Sequence, residues 1–401
     1  MSGSTPDPLT VAIIEPGVAG AEAMAGVLER ILNDDRPGGA RAYAAVSPDR
    51  DVEELLSPAV PLEDPDTALI LLTSGSTADP KGVCLSRANL LAAAVAVEKR
   101  HADVATAPRI LALPATSAAG VGVLTRALIA QAPVLTLPSI AGASRFSTHM
   151  FREIVAPCLS ASPVVSLVPT QLAMLMQDPD TRMMLPRLGR ILLGGAPAPG
   201  NLLTAAAELN IDVCVTYGMT ETCGGCLHDG YPLEGVACSV NSAGVIVIDG
   251  PMVGLGYRLR PTLTAASFTP EGFVTGDRGR FSNGRLEIID RIDDVIQVRG
   301  NNVSLPAIDQ LLLTALDTSR SVTHAVAVGV PDDVEGHQIQ ALVIADQSLT
   351  TDDLDQMRAI IRQHLGSAAV PRVITQVADI PVLANGKIDR LAVVRDLAPG
   401  F

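Results

Sequence analysis

The chain has no tryptophan, and aromatic residues make up only 2% of its 401 positions. Its core must therefore be aliphatic, and a hydrophobic content of 48%, mostly Ala, Val, Leu and Ile, is ample for one. Positive charge is scarce too. Lys and Arg number 29 against 43 Asp and Glu, a net charge of −14, which excludes the broad basic face that nucleic acid or an anionic membrane requires. Any anionic ligand must be held by a local site working against that field. No run of about 18 uncharged apolar residues occurs; "GVLTRALIAQAPVLTLPSIAG" comes nearest and is interrupted by Arg126, so no membrane span is expected. The start, "MSGSTPDPLTVAIIEPGVAG", lacks a basic segment and carries Glu15 in its apolar stretch, unlike a secretion signal. Six scattered cysteines in a chain of this size fit reduced thiols and a cytoplasmic location. Cys223 and Cys226 in "ETCGGC" have redox or zinc spacing. With no second CxxC and only His228 nearby, they read as structural thiols.

The length predicts two or three compact units. As far as about residue 250, apolar runs of strand length alternate with Ala/Leu-rich helical stretches, an α/β pattern. "TALILLTSG" reads as a buried strand entering a loop, and "SRANLLAAAVAVEKR" as the following helix with Ser86 as its N-cap. "VVSLVPTQLAMLMQ" and "RLGRILLGGAPAPGNLLTAAAEL" repeat strand, loop and helix. The texture changes from about residue 284. "GRLEIIDRIDDVIQVRG" reads as two short strands broken by a charged turn, followed by helices and strands of a smaller α+β unit. This places a large α/β domain over residues 1–290 and a small α+β domain over 291–401.

Between the first strand and helix lies "LLTSGSTADPKGV". A strand ending in small hydroxyl residues and glycine, followed by a lysine, is a phosphate-cradle pattern: backbone N–H groups approach an oxyanion, hydroxyls add donors and the amine adds charge. It is not a Walker A loop. The order Thr73, Ser74, Gly75, Ser76, Thr77, then Pro80, Lys81 and Gly82 resembles the signature loop of the adenylate-forming superfamily, which includes acyl-CoA synthetases and peptide-synthetase adenylation domains. The resemblance continues in order through "GGAPAP", "TYGMTET", "TGDRGRF", "DRIDDVIQVRG" and "LANGKIDR", covering residues 70–390. "YGMTETCGGCLHDGYPLEGV" and "NNVSLPAID" look most like the short actinobacterial o-succinylbenzoate–CoA ligases of menaquinone biosynthesis.

That resemblance implies an α/β adenylate-forming fold with a mobile C-terminal domain, and ATP, Mg²⁺ and coenzyme A as cosubstrates and cofactor. A carboxylate would attack the α-phosphorus of ATP, and a thiolate would then displace AMP. By the resemblance, Thr73, Ser74, Gly75, Ser76, Thr77 and Lys81 hold the β- and γ-phosphates. Lys387 neutralises the α-phosphate and the attacking carboxylate, a task of charge stabilisation and positioning. Glu221 holds Mg²⁺, with Thr77 as helper. Asp277 and Arg291 bind the ribose. Tyr217 lies against the adenine, with Gly194, Gly195, Ala196 and Pro197 opposite, and Gly218, Met219 and Thr220 complete the nucleotide site. Ser117, Gly195 and Thr220 face the acid, Asp293 is the hinge, and Arg299 and Gly300 border the thiol tunnel.

Three positions depart from the family pattern. Ala78 replaces a loop glycine, at about 1 kcal/mol if the position needs positive φ. Ser117 stands where the family has a histidine beside the acyl pocket. Arg299 replaces the first of two glycines, as in domains that load a carrier protein. The leading expectation is an acid–thiol ligase acting on a small aromatic or keto dicarboxylic acid, with 2-succinylbenzoate as best candidate. Alternatives are a stand-alone enzyme that loads a carrier protein, a degenerate homologue that binds without turnover, and a redox protein using Cys223 and Cys226. A homodimer is compatible with this reading.

Overall fold

The computed structural model describes residues 9–34, 41–73, 80–138, 146–316, 322–332, 335–383 and 387–398. Its centre is a seven-stranded sheet. Four parallel pairings join, in spatial order, Val134–Thr136, Arg109–Leu111, Val164–Leu167, Arg190–Leu193 and Val213–Met219. These strands are short apolar runs, and Val164–Leu167 is buried throughout, the pattern of parallel strands covered on both faces. The helices Ala118–Ala130, Pro169–Gln177 and Gly200–Glu208 connect them. Each sheet strand therefore delivers the loop that follows it to one edge, where α/β proteins bind ligands.

A second sheet orders Thr10–Ile13, Tyr43–Val46, Thr67–Leu72, Gly82–Ser86 and Gly256–Tyr257. Here the expected sequence of strand, loop and helix needs correction. The segment after the phosphate-type loop first forms the strand Gly82–Ser86, antiparallel to Thr67–Leu72, and only then the helix Arg87–Arg100. "GVCLS" is a fully buried five-residue run, long enough for a strand before the helix begins. Ser86 is the N-cap, as its chemistry predicts: its Oγ accepts the Asn89 N–H at 3.0 Å.

The alternation of strand and helix also ends earlier than about residue 250. After Val213–Met219 the chain turns antiparallel, through Gly224–His228 and Tyr231–Pro232. The cause is turn chemistry. The turn Thr220–Thr222 and Cys223, with φ 54°, reverse the chain at once, and Asp229 and Gly230, with φ 54° and 81°, close the next hairpin; neither connection leaves length for a helix. A third sheet orders Ala237–Val240, Val245–Asp249, Gly272–Ser282 and Phe268–Thr269, with Arg285–Arg291 paired to Gly272–Ser282.

Beyond the turn Ile292–Asp294 come the hairpin Val295–Val298 with Asn301–Ser304, the strands Val322–Asp332, Gly336–Ala345 and Val373–Gln376, and the helices Leu305–Thr314, Thr351–Leu365 and Arg390–Leu397. The buried aliphatic residues divide accordingly. One cluster runs from Ile14 to Leu286 and another from Val298 to Ile374. No described helix is long and apolar enough to cross a membrane.

Candidate active site

The ends of the central strands, the antiparallel segment and the C-terminal hairpin enclose a cavity of about 1270 Å³. Lys387 enters it from the far end of the chain. Its hairpin is closed by the bridge between Val382 and Ile388 and by the bond from Leu383 N–H to Lys387 O at 2.7 Å. A Cβ added at Gly195 would lie 3.5 Å from Lys387 Cε, so the amine's stem passes directly over that glycine. Gly195 itself has φ +82°, a conformation that favours glycine. Burial and then the Arg291 guanidinium push the Lys387 amine below the usual lysine range, while Asp277 and Glu221 pull it back up. Lys387 thus shares one electrostatic neighbourhood with residues far from it in the chain.

Asp277 lies in the strand Gly272–Ser282 and is 5% exposed. Its backbone N–H donates to Thr275 Oγ1 at 3.0 Å, and its Oδ2 accepts the Tyr217 hydroxyl at 2.7 Å. Oδ1 is buried without a hydrogen-bond donor in good geometry, although Arg291 Nη1 stands 3.2 Å away. A buried carboxylate oxygen left this way is suited to a ligand hydroxyl. Burial, followed by the Asp277 charge, raises the Tyr217 phenol far above its ordinary value, so it stays a donor to Asp277.

Glu221, 7% exposed, sits in the turn Thr220–Thr222 and accepts the Tyr257 hydroxyl on Oε1 at 2.8 Å. Lys81 Nζ lies 5.2 Å from the Tyr257 ring centroid, in cation–π range. Thr73 and Lys81 hold each other: Thr73 N–H donates to Lys81 O at 2.8 Å, and Lys81 N–H to Thr73 Oγ1 at 3.0 Å. Ser74, Gly75, Ser76, Thr77 and Ala78, between them, lie outside the described residues.

Gly194, Ala196, Pro197, Gly218, Met219 and Thr220 all border the cavity. Two of the glycines are required by close approach: a Cβ would sit 2.3 Å from Thr216 Oγ1 at Gly194 and 1.9 Å from Gly224 O at Gly218. Ser117 also lines the wall, but its hydroxyl is engaged in capping the helix Ala118–Ala130. It accepts the Gly120 N–H at 3.0 Å and donates to Pro114 O at 2.7 Å. Asp293 borders the cavity from the turn Ile292–Asp294. Arg299 and Gly300 are not brought to it. With φ of 50° and 75° they form the two-residue turn between Val298 and Asn301, and Arg299 pairs with Glu335 at 2.6 Å. The CxxC thiols are both buried and free. Burial pushes Cys226 up to about 12 and Cys223 higher still, the opposite of a reactive redox cysteine.

Sequence reasoning missed Arg126 as a wall residue, although an arginine inside an apolar helix was the available signal. Its guanidinium, 10% exposed, lies 3.6 Å from Glu98, which also takes a 2.8 Å bond from Arg109. Two guanidinium groups share one carboxylate. Burial lowers Arg126 to about 10, which still leaves it charged at neutral pH. The cavity wall therefore carries a desolvated cation.

Comparison with known proteins gives consistent results. The family model described as "AMP-binding enzyme" matches residues 15–257, and "AMP-binding enzyme C-terminal domain" matches residues 314–387. A probable 2-succinylbenzoate–CoA ligase of Mycobacterium tuberculosis is 36% identical over 338 residues, 84% of this chain and 86% of the relative. An amide bond synthetase from Marinactinospora thermotolerans shares the fold with a TM-score of 0.74 at 24% identity, over 98% of this chain and 91% of that one. The o-succinylbenzoate coenzyme A synthetase of Bacillus subtilis in complex with AMP shares it with a TM-score of 0.69 at 22% identity, over 95% and 87%.

Proposed function

Because the chain belongs to the AMP-binding enzyme family, we propose that it is an AMP-forming acid–thiol ligase that converts 2-succinylbenzoate to its coenzyme A thioester. The observation that carries this reading is the entry of Lys387 over Gly195, beside Glu221, Asp277 and Arg291. Adenylation gathers negative charge at the α-phosphorus as two anions meet. A desolvated amine at that point lowers the barrier by charge stabilisation without moving a proton.

In the first step a carboxylate oxygen bonds to the α-phosphorus, and the bond from that phosphorus to pyrophosphate breaks. In the second, the sulfur of coenzyme A bonds to the acyl carbon, and the carbon–oxygen bond to AMP breaks. Asp277 and Arg291 would hold the ribose, the buried Asp277 Oδ1 taking a sugar hydroxyl. Tyr217 would flank the base, opposite Gly194, Gly195, Ala196 and Pro197, with Gly218, Met219 and Thr220 along the phosphates. Thr73 and Lys81 anchor the phosphate loop. Mg²⁺ carried by a triphosphate needs only one or two protein carboxylates, and the buried Glu221 fits that requirement, with Thr77 as helper. When bound, the ion would neutralise phosphate charge.

Two observations support the acid. The Mycobacterium tuberculosis relative bears that substrate in its name, and Arg126 supplies a cation for a second carboxylate. Asp293 would be the hinge, with the division at 290/291, and Arg299 and Gly300 would meet the thiol once the C-terminal domain has turned. Reduced thiols fit a cytoplasmic setting. The test is acid-dependent ATP–pyrophosphate exchange: exchange with 2-succinylbenzoate but not with benzoate or a fatty acid, and thioester formed when coenzyme A is added. Exchange with none of these acids contradicts the reading.

A further inference from the structure

His101, Cys214 and His228 lie buried together, with ligand-type atoms within 4.8 Å of one another. The trio resembles a metal site, but its distances say otherwise. His101 Nε2 is 2.7 Å from His228 Nδ1, whereas two imidazole nitrogens on one tetrahedral zinc would stand about 3.3 Å apart given Zn–N bonds near 2 Å. The contact is a hydrogen bond, and its direction can be worked out. Arg190 Nη1 lies 2.7 Å from His101 Nδ1, and a guanidinium can only donate. His101 Nδ1 is thus an acceptor, its proton is on Nε2, and Nε2–H donates to His228 Nδ1. His228 in turn must carry its proton on Nε2.

The chain of bonds is anchored by carboxylates at its Arg190 end and finishes at His228, which is 1% exposed. Arg190 is held by Asp103 at 3.1 Å and Asp212 at 2.9 Å. At the other end, His228 is on the cavity wall, near enough to Arg126 for that cation to act on its charge. A Cβ on Gly225 would lie 3.3 Å from His228 Nε2, so the glycine there keeps one side of that nitrogen clear. We propose that His228 is a specificity-determining residue that presents Nε2–H to a carbonyl or carboxylate oxygen of the acid, in the cavity that Arg126 also lines, with Arg190 and His101 as positioning residues that fix its tautomer. A neutral donor paired with a cation suits an acid carrying an anionic oxygen and a second, uncharged oxygen acceptor.

This inference rests on the ligase reading, and the two fail differently. If the parent protein shows no exchange with 2-succinylbenzoate, the ligase reading fails; the variants and ring tautomers test the donor itself. In ATP–pyrophosphate exchange, His228→Leu should raise the KM for 2-succinylbenzoate by about tenfold to a hundredfold, the range for losing a hydrogen bond to a charged or buried partner. The KM for ATP should stay within about twofold. His228→Gln, which keeps an N–H near the Nε2 position, should recover most of the loss, and Arg190→Met should raise the acid KM more than it lowers kcat. An unchanged acid KM in His228→Leu, or a His228→Gln as impaired as His228→Leu, overturns the proposal. Should the leucine variant not fold, nitrogen-15 NMR of the intact parent protein decides. Nε2–H tautomers on both rings, with the His228 Nε2–H signal moving when 2-succinylbenzoate is added, are expected; an Nδ1–H His228, an unmoved signal or a stoichiometric bound zinc contradicts it.

Discussion

Tyr217 donates to one oxygen of Asp277 at 2.7 Å, leaving the other oxygen buried without a well-aligned donor. The pair is half of a hydrogen-bonding site waiting for a hydroxyl. Asp277→Ala should therefore weaken ATP more than the acid, raising the KM for ATP by about tenfold or more. Tyr217→Phe should have a smaller effect in the same direction, since it frees Asp277 without removing it. Equal KM values for ATP in parent and Asp277→Ala would rule out the ribose assignment.

The Lys387 amine is pushed down by burial and by Arg291. A lysine so placed loses its proton at lower pH than an ordinary one, and with it the charge that adenylation uses. The pH profile of kcat/KM for pyrophosphate exchange, which reports the free enzyme, should fall on its alkaline side before the ordinary lysine range is reached. In Lys387→Arg that limb should move upward, whatever the overall loss of rate. A limb at the same pH in both proteins assigns it to another group.

Much of this site was legible in the chain because each motif is a strand end followed by turn residues whose spacing carries its chemistry. Gly194, Gly218 and Asp277 all border the cavity. Ser117 lines the wall, and its hydroxyl also caps a helix, a role the Ser-x-x-Gly spacing does not advertise. What stayed hidden depends on contacts between distant segments. Arg126 gains its partner from Glu98, Glu221 from Tyr257, and His228 from His101. No local periodicity encodes such pairs. The early end of the strand–helix alternation depends on residues with positive φ, Cys223 and then Asp229 and Gly230, and the spacing of apolar residues does not show that conformation.

His101 and His228 predict a pH dependence of stability. Burial lowers His101 to about 4 and His228 to about 3; Arg190, Arg126 and Arg100 add to it at His101, where Asp103 opposes them, and at His228 the His101 ring acts ahead of Arg126, Arg100 and Arg190. Both folded values are below the unfolded 6.5, so the stability they provide is complete above that pH and is lost as pH falls toward the folded values. The loss should be on the order of 1 kcal/mol per pH unit for each ring. Urea unfolding between pH 7.5 and pH 4.5 should show a steeper decline in the parent than in His228→Gln. Parallel declines would remove the pair from the account.

Asp293 occupies the turn between Arg285–Arg291 and Val295–Val298. If the C-terminal domain rotates there, fixing φ with proline restricts the rotation. Asp293→Pro should keep pyrophosphate exchange within about threefold while slowing thioester formation by about tenfold or more. Equal loss in both half-reactions would place the hinge elsewhere.

The most direct test concerns the amine over Gly195. In Lys387→Ala, pyrophosphate exchange with 2-succinylbenzoate should fall by about a hundredfold or more, the scale of losing one charge-stabilising group. The same variant, given preformed acyl-adenylate and coenzyme A, should make thioester at close to the parent rate. Full exchange in the absence of that amine would contradict the account.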